Sequence, residues 1–492
     1  MFTPNREQFM KKARPGAIVP VYAEVLADTE TPVSAFKKTR EGRYAYLLES
    51  VESGVNIGRY SIIGFTPKVI FRATGHEIEL VTDGHLEKFE KTDPLKFLEE
   101  ILGRYTPDKP EGLDLPFWGG AVGYIGYDYI RFFERIPHGQ KPSLAVPDLF
   151  FVVMKNILVF DQLRHKIFVI HNAFIGDEPE AAYQEALDSI DRILVRFGSE
   201  APVHKAFFIS TEADNAVHPE FEKSAFLKAV ETIKEHIKAG DIFQAVLSQR
   251  FRTRLNVDPF NIYRALRVIN PSPYLFYLDY DDLRLIGSSP EVMVKKIDNT
   301  VMVKPIAGTR PRGATPAEDC ENEQDLLRDK KELAEHLMLV DLGRNDVGRV
   351  ASPGSVRVEN FMNVERYSHV MHIVSTVKGT IDPNLSLREL VRATFPAGTV
   401  SGAPKVRAME IISELEPHQR CVYAGLIGYY SFSGNFDSCI AIRTLVQKDD
   451  QLYLQVGAGI VADSDPEREY EETINKAKAL VRAIEMTRGG LQ

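Results

Sequence analysis

The stretch Val303–Arg310 (VKPIAGTR) is a β-rich run that closes on Gly308 and Thr309. Glycine at a strand end lets a ligand approach backbone N–H groups closely, and it equally marks a simple bulge. Two further stretches follow along the chain. Glu335–Asp341 (EHLMLVD) lies in a helical pattern, and Gly398–Lys405 (GTVSGAPK) is a turn with a proline suited to the first turn of a helix. This order of strands and helices is typical of a mixed α and β protein.

In sequence and in order, the three stretches resemble motifs of the chorismate-binding enzymes, and most closely those of the anthranilate-forming branch. Leu47–Ser50, Asn270–Tyr274 and Gly457–Gly459 also look like motifs of this family, again in the family's order. The resemblance runs from about Val19 to Arg482, which is nearly the whole chain.

The length of 492 residues is too great for a single-core domain. We expect an α+β fold, and the resemblance implies a duplicated body of two facing antiparallel sheets with helices packed outside. We expect an N-terminal lobe over residues 1–197, a linker over 198–220 and a catalytic lobe over 221–492. Gly119–Tyr127 is similar to Ala424–Tyr430. This similarity indicates either a duplication or two glycine-aromatic strands that are alike by chance, and the sequence leaves both possibilities open.

The composition excludes several classes of function. Sixty basic and 69 acidic residues leave a net charge of −9 without charged blocks, which argues against a nucleic-acid surface. The N-terminus has no apolar segment of a signal peptide, and no apolar run is long enough to cross a membrane, so we expect a cytoplasmic protein. Cys320, Cys421 and Cys439 are widely spaced, which suits a reducing compartment and offers no metal site.

Two helical glutamates, Glu335 and Glu472, are candidates for a metal site. A glutamate on a helix is usually a solvated surface residue. Both positions match the magnesium ligands of the family, however, and Mg²⁺ is typically held by one or two carboxylates with substrate oxygens and water. Chorismate is a dianion, so two carboxylates beside it would require a divalent cation between them.

The resemblance also implies a substrate site and a set of catalytic residues. Arg443 lies in an apolar stretch predicted as a strand, where its charge is costly unless a carboxylate pairs with it. His372 matches the family's catalytic histidine, although a lone histidine in a strand is more often structural. Glu291 matches the proton donor to the C4 hydroxyl. The implied chorismate-binding residues are Gly308, Thr309, Tyr423, Arg443, Gly457, Ala458 and Gly459, and the implied catalytic residues are His372, Glu291, Thr399 and Gln244.

Two positions distinguish among the reactions of the family. Isochorismate and salicylate synthases carry lysine where this chain has Gln244, and an amide cannot deprotonate water near neutral pH. Aminodeoxychorismate synthases carry a nucleophilic lysine where this chain has Ala307. Both substitutions indicate direct amination at C2 by ammonia, which leads through 2-amino-2-deoxyisochorismate to anthranilate and pyruvate. An aminodeoxyisochorismate or aminodeoxychorismate synthase and an inactive tryptophan-sensing paralogue are the alternatives.

Regulation and partners are also implied by the resemblance. Residues matching the family's L-tryptophan site are Glu49, Ser50, Pro273, Tyr274 and Leu275, and pattern alone would describe them as a strand end and a proline-rich turn. No cysteine lies in a context that fits a glutamine amidotransferase. The ammonia is therefore expected from a separate amidotransferase chain, in a heterotetramer with two copies of each.

Overall fold

The computed structural model describes residues 2–26, 28–50, 58–137, 141–199, 216–367, 370–488 and 490. The helices are α1 Arg6–Lys12, α2 Pro32–Thr39, α3 Pro94–Leu102, α4 Pro179–Phe197, α5 Lys223–Ala239, α6 Pro259–Ile269, α7 Pro316–Arg328, α8 Lys330–Gly348, α9 Leu387–Thr394, α10 Lys405–Leu415 and α11 Pro466–Arg488, with 3₁₀ turns at Tyr127–Phe132 and Gly398–Val400. In this described part of the chain, no helix combines the length and the apolar character needed to cross a membrane.

The strands of the first half are β1 Ala17–Leu26, β2 Tyr44–Glu49, β3 Tyr60–Thr74, β4 Glu77–Thr82, β5 His85–Glu90, β6 Thr106–Pro107, β7 Gly120–Ile125, β8 Leu149–Asp161 and β9 Lys166–Phe174. Those of the second half are β10 His218–Pro219, β11 Gln244–Arg254, β12 Tyr274–Tyr280, β13 Leu283–Ser289, β14 Val292–Ile297, β15 Thr300–Val303, β16 Ile306–Pro311, β17 Arg357–Arg366, β18 Val370–Thr380, β19 Gly402–Ala403, β20 Leu426–Ser431, β21 Phe436–Ile440, β22 Thr444–Lys448 and β23 Gln451–Ile460.

Two antiparallel sheets share the long strands β3 and β8, which bend between them. The first sheet joins β1, β9, β8, β3, β2, β12, β13, β22, β23 and β11 in that order. The second runs from β4 through β3, β8, β7, β20, β21, β14 and β15 to β18, which also pairs with β16 and β17. The pairing register of β3 on β8 shifts between Pro67 and Val69, where the two sheets diverge.

An aromatic core fills the space between the sheets. The rings of Phe150, from the second sheet, and Tyr280, from the first, lie 4.7 Å apart, and Tyr46 and Tyr124 are fully buried in the same cluster. Separate apolar clusters bind helices to the outer face of each sheet. Burial of large aromatic side chains contributes most to such a layered core.

The second half of the fold repeats the first. Strands β2, β3, β8 and β9 pair in sequence, as do β12, β13, β22 and β23, and each series precedes a long helix, α4 or α11. The two similar glycine-aromatic stretches lie on β7 and β20, which pair with Gly123 opposite Gly428. These equivalent positions favour duplication over chance similarity. The predicted α+β fold is confirmed.

Two helices that the sequence pattern predicts are present, and a third differs. Apolar residues at helical spacing predict a helix over residues 179–197, which is α4, and a last helix near the end of the chain, which is α11. The pattern also predicts one helix from about Glu321 to Leu342, but the structure has two helices, α7 and α8, that meet at Asp329. The Asp329 carboxylate accepts hydrogen bonds from the backbone N–H groups of Lys331 and Glu332, so it caps a new helix in place of continuing the old one.

The two predicted lobes share hydrogen bonds in both sheets, because β2 pairs with β12 and β7 pairs with β20. Most of the expected linker, residues 200–215 of 198–220, lies outside the described residues. The lobe boundaries therefore stay a prediction.

Candidate active site

The site lies where two neighbouring strands of the second half bend from one sheet into the other. Glu291 lies in the bend between β13 and β14, and Arg443 lies in the bend between β21 and β22. The Ser288 N–H donates to the Arg443 carbonyl at 3.1 Å, and the Ile440 N–H donates to the Glu291 carbonyl at 3.0 Å. The backbone thereby holds the two functional side chains side by side.

The structure corrects the expected position of Arg443. It is not inside a strand but at a bend with φ of +51°, a conformation that residues other than glycine rarely adopt. Burial lowers the pKa of its guanidinium, while the nearby Tyr423 and Glu472 act in the opposite direction. Among the described residues its hydrogen-bond acceptor is the Lys476 carbonyl, and no carboxylate forms an ion pair with it. A half-buried cation without an ion pair is suited to an anionic ligand.

Glu291 is a buried carboxyl group, 9% exposed. Burial raises its pKa to about 8, while the hydrogen bond from Thr399 and the positive charge of Lys476 act to lower it. The Thr399 hydroxyl donates to Glu291 Oε1 at 2.8 Å. A carboxyl with a pKa of about 8 carries its proton at neutral pH, so Glu291 is a competent general acid.

His372, on β18, lies opposite Thr309, on β16. Its Nδ1 lies 2.8 Å from the Gly308 carbonyl oxygen and 3.1 Å from the Thr309 hydroxyl. A carbonyl oxygen only accepts hydrogen bonds, so Nδ1 carries the proton and Nε2 carries the lone pair. Burial lowers the pKa of His372, which keeps the imidazole neutral. His372 is therefore arranged as a base through Nε2.

Gly308 forms a bulge in β16, with φ of +69° and a register shift between Ala307 and Thr309. A Cβ at this position would lie 3.0 Å from Leu326 Cδ1 and 3.3 Å from Glu332 Oε2. The sequence left open whether Gly308 admits a ligand to the backbone or marks a bulge. The bulge is present, and it brings the Gly308 carbonyl to His372.

The two glycines of Gly457–Gly459 predict an interruption of the strand that contains them, and this prediction is wrong. All three residues lie within β23 and pair without a break with Ser248, Leu247 and Val246 of β11. Their small size has a packing reason, because a Cβ on Gly457 would lie 2.7 Å from the Tyr423 hydroxyl and one on Gly459 would lie 2.5 Å from Gln244 Nε2. The glycines thus let Tyr423 and Gln244 lie directly on the strand.

Lys476 is a site residue that the sequence analysis missed. Its Nζ donates to the Gly457 carbonyl at 2.9 Å and forms an ion pair with Glu472 Oε1 at 2.6 Å. The signal was available, since residues four apart on a helix share a face.

Each of the two candidate metal ligands has a second glutamate nearby on its own helix, Glu332 on α8 and Glu469 on α11. Both of these glutamates are half-buried. Burial raises the pKa of Glu332, and the charge of Glu335 raises it further. Burial also raises the pKa of Glu469; a hydrogen bond with Ser464 lowers it, and the charge of Glu472 raises it. Within each helix the two carboxylates therefore repel each other.

This donor set fits a divalent cation. Glu335 has no hydrogen bond or ion pair with any described residue, and Glu472 pairs only with Lys476 within that part of the chain. No three histidine, cysteine, aspartate or glutamate side chains of the described residues come together as metal ligands. Two carboxylates with oxygens from substrate and water are a typical arrangement for Mg²⁺.

The predicted effector residues lie together at one end of β2 and β12. Leu275 pairs with Glu49, so Ser50 and Tyr274 follow at the same edge. Glu49 is buried and accepts hydrogen bonds from Tyr263 and from Arg267, the latter at 3.1 and 3.2 Å. Pro273 immediately precedes β12 and is half-buried.

Tyr274 links this edge to the catalytic region. Its hydroxyl donates to Asp437 Oδ1 at 2.7 Å. Its backbone pairs with Ser289, two residues before Glu291. The two predicted sites are thus connected through one pair of strands.

Comparison with known proteins decides the family. The sequence model described as "chorismate binding enzyme" matches residues 43–482. The chain belongs to the chorismate-binding enzymes. It is 48% identical over 483 residues to anthranilate synthase component 1 of Aquifex aeolicus, covering 98% of this chain and 97% of that protein. It is 46% identical over 493 residues to the protein of the same name from Acetivibrio thermocellus, covering 99% of each.

Solved chorismate-binding enzymes share the fold. Anthranilate synthase component I from Streptococcus pneumoniae matches with a TM-score of 0.76 and 38% identity, over 93% of this chain and 99% of that one. The menaquinone-specific isochorismate synthase of Escherichia coli matches with a TM-score of 0.72 and 17% identity, over 97% of each chain, and shows the fold alone.

The two positions that distinguish reactions among chorismate-binding enzymes are both buried here. Gln244 is 6% exposed at the start of β11, and Ala307 is 8% exposed beside the Gly308 bulge. Gln244 Nε2 lies against Gly459, and Ala307 precedes the bulge whose carbonyl contacts His372.

Proposed function

We propose that this chain is the chorismate-binding component of anthranilate synthase, which converts chorismate and ammonia to anthranilate and pyruvate in the first committed step of tryptophan biosynthesis. One observation carries the proposal. The site combines a protonated acid, Glu291, and a neutral base, His372, with the amide of Gln244 and the methyl of Ala307, where other chorismate enzymes of the family carry lysine. The site thus supplies proton transfer and has no lysine at the two positions where those enzymes carry one.

Glu291 acts in the first step. Ammonia forms a bond to C2 of the ring as the C4–O bond breaks, and the proton of Glu291 moves to the departing hydroxyl, which leaves as water. The added nitrogen then loses a proton. Thr399 holds Glu291 Oε1 at 2.8 Å throughout, so the acid stays aimed at the leaving group.

His372 acts in the second step. Its Nε2 takes the proton from C2 of 2-amino-2-deoxyisochorismate, the C3–O bond breaks, and the enolpyruvyl group leaves as pyruvate after gaining a proton. The ring becomes aromatic, which drives the step. The Gly308 carbonyl keeps the proton on Nδ1, so that Nε2 is the basic atom.

The remaining residues bind the two carboxylates of chorismate. The groups that bind them are Arg443, the Tyr423 hydroxyl, which lies against Gly457, the β23 backbone at Gly457, Ala458 and Gly459, and the Gly308–Thr309 bulge. Burial raises the pKa of Tyr423 to about 12, so its hydroxyl remains a donor at neutral pH. Gln244 borders the position of the incoming ammonia.

Glu335 and Glu472 would hold Mg²⁺ together with a carboxylate of the substrate. A cation bound there would neutralise the negative charge of the glutamates and of the dianionic substrate. Arg443 and Lys476 provide the chain's own positive charge at the same place.

Regulation and partnership complete the proposal. L-Tryptophan binds at Glu49, Ser50, Pro273, Tyr274 and Leu275 and inhibits the enzyme. Ammonia comes from a glutamine amidotransferase, component II, as a separate chain, in a heterotetramer of two copies of each in the cytoplasm. The relatives' name, component 1, supports a partner component.

The experiment is a product assay with the purified chain, chorismate, Mg²⁺ and an ammonium salt. Appearance of a fluorescent aromatic amine together with pyruvate supports the proposal. Conversion of chorismate to a non-aromatic amine without pyruvate indicates an aminodeoxyisochorismate synthase and contradicts it. Tryptophan binding with no consumption of chorismate would indicate a sensing protein without activity.

A further inference from the structure

Arg420 is a buried arginine that lies behind the candidate site and is not among the residues assigned to it. Its side chain is 2% exposed, and that of Glu416, one helical turn away in sequence, is 4% exposed. Arg420 Nε donates to Glu416 Oε2 at 2.9 Å and Nη2 donates to Glu416 Oε1 at 2.6 Å. The pair is bidentate, the strongest geometry for an arginine and a carboxylate.

The remaining hydrogen bonds of the Arg420 guanidinium go to the backbone on either side of the site. Nη1 donates to the Val400 carbonyl at 2.6 Å, and Nη2 donates to the Val246 carbonyl at 2.7 Å. Val400 follows Thr399, which holds Glu291. Val246 lies two residues after Gln244 and pairs with Gly459.

The same guanidinium also lies between two aromatic rings. Its central carbon is 4.7 Å from the ring centre of Tyr127 and 5.4 Å from that of Tyr423. Tyr423 is the residue whose hydroxyl lies on Gly457. Contact with two rings restricts the motion of the guanidinium plane. A planar guanidinium suits this arrangement, whereas the ammonium group of a lysine does not.

Glu416 extends the connection to β11. Its Oε1 accepts hydrogen bonds from the Ser248 N–H at 2.8 Å and from the Ser248 hydroxyl at 2.7 Å. Ser248 pairs with Gly457. One ion pair therefore contacts the Thr399 segment, the β11 strand that begins at Gln244, and the ring of Tyr423.

We propose that Arg420, supported by Glu416, is a positioning residue that fixes Thr399, Gln244 and Tyr423 relative to one another around the substrate. The inference rests on the proposed function for its kinetic readout. Well-packed apolar side chains can replace a buried ion pair without loss of stability, so stability alone does not require this pair. Arg420 acts through its neighbours and does not itself contact the substrate.

The test is Arg420→Lys, which keeps the charge and loses the planar fork. We expect kcat for anthranilate formation to fall by about 100-fold, the typical effect of displacing a catalytic group by about 1 Å. The Thr399 hydrogen bond lowers the pKa of Glu291. Its loosening should therefore move the alkaline limb of the pH profile to higher pH, an effect that reduced stability alone does not produce.

Lys38→Met is the matched control, because Lys38 and Glu30 form another buried ion pair, 9% and 7% exposed, that contacts none of the site residues. We expect it to lower the melting temperature while kcat and the pH profile stay unchanged. A Lys38→Met variant that reproduced both kinetic changes would overturn the proposal, as would a folded Arg420→Lys variant with wild-type kcat and pH profile.

A double-mutant cycle tests the connection to Thr399 directly. If Arg420 acts through Thr399, the loss in the rate of chorismate consumption for Arg420→Lys with Thr399→Val will be smaller than the product of the single losses. Multiplicative losses in this double variant would refute the connection. If Arg420→Lys does not fold, Glu416→Gln decides, because it removes the bidentate pair and should shift the same limb. Failure of the wild-type chain to form anthranilate would instead count against the proposed function.

Discussion

The Thr399 hydroxyl donates a hydrogen bond of 2.8 Å to Glu291 Oε1 across 108 residues of sequence. Thr399 comes from a 3₁₀ turn at Gly398–Val400, and Glu291 comes from the bend between β13 and β14. The bond opposes the effect of burial on the Glu291 carboxyl, whose pKa is about 8. The acid strength of Glu291 therefore depends on two segments, the turn that carries Thr399 and the bend that carries Glu291.

Activity should depend on the protonated form of Glu291. We expect kcat/KM for chorismate to fall as pH rises through about 8, when measured at a constant concentration of free ammonia. Glu291→Gln should reduce activity strongly and remove this alkaline limb. A wild-type rate that stays level between about pH 7 and about pH 9.5 would contradict the assignment.

The same ionisation should appear in stability. The folded chain keeps the Glu291 proton up to about pH 8, while the unfolded chain releases it near the ordinary glutamate value. The free energy of unfolding should therefore decrease as pH rises between these values, by about 1.4 kcal/mol per pH unit at most. Glu291→Gln should lack this contribution. Denaturant titrations of both proteins at several pH values measure the difference.

Removing the Thr399 hydroxyl should weaken the acid. In Thr399→Val the bond that lowers the Glu291 pKa is lost, so we expect the alkaline limb to move to higher pH and kcat to fall about fivefold, in line with about 1 kcal/mol for one hydrogen bond. Thr399→Ser keeps the hydroxyl and is the control. A Thr399→Val variant with the kcat and the pH profile of Thr399→Ser would show that the hydrogen bond does not set them.

The carboxylates on α8 and α11 should be required for metal-dependent turnover. Glu335→Ala or Glu472→Ala should abolish activity and leave the melting temperature of the chain near that of wild type, because both side chains are at least partly solvent-accessible. Glu471→Ala, next to Glu472 on an exposed face, is the matched control and should remain active. Full activity of the wild type in excess chelator would contradict the magnesium proposal.

His372 should serve the second step more than the first. His372→Met should slow release of anthranilate more than consumption of chorismate, so that the aminated intermediate accumulates. Chromatography of quenched reactions separates the two compounds. Equal slowing of both steps without an intermediate would remove the histidine from pyruvate elimination.

Tryptophan inhibition should be lost without loss of catalysis when Ser50 is enlarged. Ser50 is half-buried beside Glu49 at the edge that β2 shares with β12. Ser50→Phe should block the effector site and keep uninhibited kcat near that of wild type. In the wild type, saturating chorismate should weaken tryptophan binding by the factor with which tryptophan weakens chorismate, typically about 5- to 150-fold for coupled sites. A fully tryptophan-sensitive Ser50→Phe variant would exclude the site.

The sequence by itself determined the elements and the candidate residues. Apolar spacing predicted α4 and the last helix because a side-chain period is a local property, and motif residues such as Glu335, His372 and Gly308 could be named from their immediate neighbours. The break at Asp329 was not predicted, although aspartate is a common capping residue, because apolar residues at helical spacing continue across it.

Only the tertiary structure decided which residues meet. Arg443 lies at a bend and not in a strand because β21 and β22 belong to different sheets. The residues that pair with them, on β14 and β13, are at least 140 residues away in sequence. The Glu291 pKa depends on burial and on Thr399, and the role of Arg420 depends on carbonyls 20 and 174 residues distant. Local sequence carries no record of such contacts, since desolvation and hydrogen bonding at the site arise only when the two sheets close around it.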